Sequence, residues 1–177
     1  MPAEQAIASD EIDEGIFALE PMSLENIPKL HPVAIFAERY HEMTEGHFIP
    51  SDTALLKDSV VRSLASWLEH VEPVEMAGHV DFYIIDSDDS LSNTDDTDYE
   101  RGTWMSESMD DEFVASRYHE CVAASILRKP EFSRGSVPSF SRSFMKQYRG
   151  VFPMFAENHA RLRLAIMSAE TFIELKQ

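Results

Sequence analysis

The sequence predicts an α+β domain: an antiparallel sheet with helices packed on one face, preceded by helices of its own. Three observations carry this. Apolar residues recur at helical spacing in three segments, residues 33–44, 51–71 and 110–127. One β-branched and aromatic run, Val80-Asp-Phe-Tyr-Ile-Ile85, sits between the second and third of them. Beyond Pro130 three extended segments follow one another with short polar connections, which implies antiparallel pairing.

Taken in order, residues 1–26 read as a flexible acidic arm, and 27–177 as one domain that includes the leading helices. Val33, Phe36, Ala37, Tyr40 and Thr44 form an amphipathic stripe after Pro32, a residue suited to a first helical turn, and Gly46 ends it. Ser51 follows Pro50 as a capping residue for a second helix, with the stripe Leu55, Leu56, Val60, Leu64, Trp67, Leu68 and Val71, stopping before Pro73. The strand Val80–Ile85 then runs into the polar stretch DSDDSLSNTDDTD, and YERGTWMSESM is expected to hold a helical turn.

From Asp110 to Leu127 the positions Phe113, Val114, Tyr118, Cys121, Val122 and Ile126 define a third helix. Acids at its start and Arg128-Lys129 at its end suit the helix dipole, and Pro130 stops it. The extended segments are EFSRGSVPSF, SFMKQYRGVFPMFA and RLRLAIMSAETFI, with turns expected at Ser141-Arg142 and Glu157-Asn158-His159. In RLRLAIM, Leu162, Leu164 and Ile166 alternate with Arg161, Arg163 and Ala165, so one face is expected to be buried and the other to meet water.

The 177 residues are 44% hydrophobic, enough for one domain with a substantial core. No run approaches the ~20 apolar residues that cross a bilayer, and the first residues lack the pattern of a secretory signal, so a cytoplasmic protein is expected. Cys121 is the single cysteine, which excludes an internal disulfide and a multi-cysteine zinc cluster. The net charge of -17 opposes nucleic acid and anionic membrane as partners. It is unevenly spread: residues 1–25 carry seven acids and no Lys or Arg, residues 86–112 carry eleven acids against Arg101, and residues 128–163 carry eight basic and two acidic side chains. An acidic tail and loop attracted to a basic face of the same fold is the simplest account.

Several constellations invite chemistry. In FYIIDSDDS a strand delivers Asp86 and Asp88 two residues apart, as in phosphotransferases where one Asp attacks phosphorus and the next moves a proton beside Mg²⁺. That chemistry also needs alternating βα units and a later lysine, which the antiparallel tail does not supply. Asp86, Asp88, Ser90, Asp95, Asp96 and Asp98 crowd one loop with oxygen ligands, but an EF-hand would need Gly at Leu91 and Glu at Thr97. Cys121 falls on the apolar stripe, where a thiol behaves as a small hydrophobe, and His119 lies toward the polar side. Histidines 31, 41, 47, 70, 79 and 159 show no metal spacing, and no catalytic triad or phosphate-binding glycine loop is present. No catalytic residue, metal ligand or cofactor is assigned.

The order of elements, with the segments EGHFIPSDTALLKDSVVRSLASWLEHVEPVEM, VDFYIID, GTWMSESM with its following helix, and FMKQYRGVFPMFAENHARLRLAIMS, resembles the PAS domain. The likeness is to a divergent bacterial subfamily in which one or two helices precede the domain, and it covers residues 33–168. It implies a curved antiparallel sheet with helices across one face, binding a small molecule or a partner protein in signalling, and not a catalyst. The chain as given leaves no room for an attached output domain, so a free-standing module acting by association is expected. The pocket implied by the resemblance would be lined by Trp104, Phe113, Tyr118, Val122, Phe144, Tyr148 and Phe152, with Phe140 and Phe155 nearby. The partner would be a signalling protein or small ligand, with neither nucleic acid nor membrane. Two alternatives stand beside this: a Mg-dependent phosphotransferase using Asp86 and Asp88, and an adaptor that dimerises through the helix at 33–45.

Overall fold

The computed structural model describes residues 19–44, 49–87, 104–108, 112–136, 146–156 and 161–171. The fold is α+β. Among the described residues the elements are β1 (Glu20–Pro21), α1 (Pro32–Thr44), α2 (Asp52–Lys57), α3 (Ser59–Ser63), β2 (Leu68–Met76), β3 (His79–Ser87), α4 (Glu112–Leu127), β4 (Glu131–Ser136), β5 (Lys146–Ala156) and β6 (Arg161–Thr171). The six strands form one sheet in the order β1-β4-β5-β6-β2-β3, and every neighbouring pair is antiparallel. The chain leaves β3 at one edge and returns as β4 near the other, and α4 spans that gap across the face of the sheet.

The expected α4 and the three C-terminal strands are present, as is the short helical turn, at Met105–Ser108. Three expectations need correction. The helix foreseen over 51–71 ends early. Asp58 takes an extended conformation (φ -63°, ψ 133°), closing α2 and capping α3 by accepting from the Val60 and Val61 N–H groups at 3.0 and 3.1 Å. From Leu68 the chain is strand, paired with Met167 through Leu164 of β6 and with β3. Secondly, β6 meets water at its first residue, Arg161, but carries no wet face along its length: Leu164 through Ala169 are all buried, because α1 to α3 cover the side opposite α4. Thirdly, from Glu20 the foreseen arm belongs to the sheet, with Glu20 and Pro21 paired to Arg134 and Ser133. Residues 1–18, the acidic loop from Asp88, and the turns at Ser141-Arg142 and Glu157-Asn158-His159 lie outside the described residues.

Two cores result. On one face Val33, Phe36, Ala37 and Tyr40 of α1 join Leu55, Val61 and Leu64 against Phe152, Met154, Ala165 and Met167. The Phe152 ring meets Phe36, Tyr40 and Phe132 at 4.6, 5.2 and 5.6 Å between centroids. The Tyr40 hydroxyl donates to the Pro153 carbonyl at 2.5 Å, and burial raises its pKa. On the other face Cys121 and Ala124 of α4, with Met105, close over Val71, Phe82, Ile84, Val151, Leu164 and Ile166. Pro73 and Pro153 are tolerated inside long strands because a neighbour has run out at each: β6 pairs only as far as Val71, and β4 only as far as Val151.

Candidate functional site

Strand register gives the composition of the face under α4. Residues directly opposite in an antiparallel pair point to the same side, so Ile84, Val71 and Leu164 form one row across the sheet. Glu69, Ile166, Val151 and Glu131 form the next, and Ser168, Arg149, Ser133 and Pro21 the one after. Gln147 and Gly135 begin a fourth. The face therefore grades from hydrocarbon to polar groups, and α4 lies over the transition.

The helix meets the polar rows with charges of its own. Arg117 falls on the buried stripe with Cys121 and Ala124, at spacings of four and seven. Its Nη2 donates to Glu69 Oε1 at 2.6 Å, with both side chains more than nine-tenths buried. Glu120, three residues on, accepts at Oε2 from Arg149 Nε at 3.0 Å, and its other oxygen accepts from the Ser133 hydroxyl. Arg149 is only 2% exposed and is among the largest fully buried side chains of the described residues. Burying such ions is costly unless each is paired, and here two carboxylates balance two guanidinium groups. Gln147, nine-tenths buried beside them, presents an Oε1 that has no hydrogen-bond partner among the described residues.

Cys121 sits among these four charges. Burial, reinforced by Glu120, pushes its thiol up to about 12 against the opposing pull of Arg149 and Arg117, so it is neutral and enclosed. His119 is exposed on α4. Among the described residues no group of three or more His, Cys, Asp or Glu is placed to hold a metal ion. No described helix is long and apolar enough to cross a membrane.

A groove of about 310 Å³ opens where α4 leaves the sheet edge. Ser116, His119, Glu120 and Ala123, which share one helical face, form one wall; Glu131, Phe132 and Ser133 of β4, with Leu19 and Pro21, form the other. The buried Glu120–Ser133 contact connects this groove to the charged layer.

The aromatic residues expected to line one pocket are divided between the two faces. Tyr118 and Val122 pack on the α4 side, where the Tyr118 ring meets Phe82 edge-on at 5.4 Å and its hydroxyl donates to the Val80 carbonyl at 2.5 Å. Trp104 stands at the edge of β3, bridged to and packed against Tyr83. Tyr148 and Phe152 belong to the α1 side, Tyr148 in edge contact with His31 at 5.0 Å. The sheet lies between these groups, so they do not line a common cavity. Phe113 falls in α4 but its side chain, like all of Phe140 and Phe144, lies outside the described residues, as do the Asp86 side chain and Asp88. Phe155 is half-buried under the Arg128 guanidinium, 5.6 Å from its ring centroid. The residues that sequence reasoning missed are Glu69, Arg117, Glu120, Ser133, Gln147 and Arg149. The available signal was Arg117 itself, a cation in helical register with Cys121.

His31, by contrast, has a structural role. Its Nδ1 accepts from the Val33 N–H at 3.2 Å, its Nε2 faces the Ala169 carbonyl at 3.1 Å, and burial lowers its pKa against the opposing effect of that carbonyl. Comparison with protein-family models, with curated proteins and with solved structures finds no match to this chain.

Proposed function

We propose that the chain is a non-catalytic, PAS-like sensor or regulatory module of bacterial signalling, acting through a small ligand, a protein partner, or both. The observation that carries this reading is the polar layer beneath α4. A helix that crosses a sheet face and is fixed there by two buried ion pairs, with a groove at its rim, can couple occupancy of the groove to its own position. Such pairs are directional, so a ligand that disturbs one of them changes where the helix rests. The antiparallel sheet crossed by a helix also supports the resemblance. Fold likeness alone does not set function, and the proposal rests on the site. Native mass spectrometry of the gently purified chain, with affinity capture from a lysate of its source, tests the reading. A retained small molecule or a reproducible, saturable protein partner is expected; a chain that retains and captures nothing refutes it.

A further inference from the structure

The groove beside α4 has a chemical character of its own. Leu19, Pro21 and Ala123 give it apolar walls, while the Phe132 ring packs against Phe152 on the opposite face of the sheet, and among the described residues no lysine or arginine lines it. Two carboxylates do. Glu120 is buried and held by Arg149 and Ser133, while Glu131 has no ion-pair partner among the described residues. A volume of about 310 Å³ lies at the small end of the range for organic ligands.

We propose that this groove binds a small organic cation, an ammonium group on an apolar body of roughly six carbons. The ammonium would lie at Glu131, next to the buried Glu120–Ser133 pair, and the hydrocarbon against Leu19, Pro21 and Ala123. An anion of the same shape would face Glu131 with like charge and gain no cation in return. The inference rests on the binding-module reading and names the ligand class for it.

The test is a titration of the isotope-labelled full chain at pH 8 with hexylammonium, hexanol and hexanoate, followed by amide NMR. For seven non-hydrogen atoms a dissociation constant on the order of 1 mM is expected for hexylammonium. Saturating shifts should fall at Ser116, His119, Ala123 and Phe132, with hexanol weaker and hexanoate weakest. Glu131→Gln should weaken hexylammonium at least about fivefold, whereas Glu38→Gln on exposed α1 should leave it unchanged as the control for general attraction to an acidic protein. Ala123→Met, which fills the groove, should abolish the shifts. Equal binding of hexanoate, non-saturating shifts spread over the acidic surface, or indifference to Glu131→Gln each overturn the proposal. Loss of hexylammonium binding while the chain still captures a ligand or partner removes the amine class alone; capture of nothing removes the binding-module reading itself.

Discussion

Removing the Glu120 carboxylate should be among the most damaging single changes in the protein. It accepts from Arg149 Nε at 3.0 Å and from Ser133, and the side chains of Arg149 and Glu120 are only 2% and 7% exposed. Glu120→Ala leaves the guanidinium buried without that carboxylate, a change that costs about 3–5 kcal/mol. The whole stability of a domain is about 5–15 kcal/mol, and for this size each kcal/mol moves the midpoint by about 2–4 °C, so Tm should fall by roughly 6–20 °C. Replacing both ions with hydrocarbon, as Glu120→Leu with Arg149→Met, should recover most of the loss, because burial of the ions is itself unfavourable. Urea unfolding of the two single variants and the double, arranged as a double-mutant cycle, reads the coupling directly. A loss below about 1 kcal/mol for Glu120→Ala, the scale of a solvated surface pair, or strict additivity in the cycle, would refute the reasoning.

Three further outcomes follow from the same geometry. His31 has a folded pKa depressed below its ordinary 6.5, so the unfolded chain takes up the proton first: its stabilisation is full above about pH 6.5 and is lost as pH falls below it. The Tm advantage of the wild type over His31→Asn, which keeps a capping acceptor, should therefore shrink between pH 7.5 and 5, and a constant difference would contradict the assignment. A Cβ at position 150 would stand 2.5 Å from the Phe152 ring, which Phe36, Tyr40 and Phe132 hold in place, so Gly150→Ala should lower urea-measured stability by at least about 1–3 kcal/mol. Cys121 is enclosed and its thiol is pushed up to about 12, so iodoacetamide at pH 8 should label it only when urea opens the fold; rapid labelling of the native chain, read by mass spectrometry, would place it elsewhere.

Much of the fold was legible from residue patterns. Acids before α4, the Arg128-Lys129 pair after it and the stripe between them mark that helix, and alternation with short polar breaks marks β4 to β6. Leu68 and Val71 misled because their spacing of three fits one face of a helix. In β2 they point to opposite faces, and both are buried because the sheet is covered on both sides. The same double coverage buries Ala165, so the wet face that the Arg-Leu alternation suggested does not extend past Arg163. The site was harder to read than the fold. Arg149 and Glu69 look like surface charges inside strands, and only their long-range partners on α4 explain their burial. Pairing across 48 and 29 residues of chain leaves no local signal.

Hydrogen exchange of the full chain, with and without a small-molecule extract of its source, measures the central claim that the seam between α4 and the sheet edge is where this protein binds. New protection should concentrate in residues 112–127 and 131–136, the helix over the charged layer and the strand that forms the groove's other wall. Protection confined to β3 or to α1, or no change anywhere in the described residues, would contradict it.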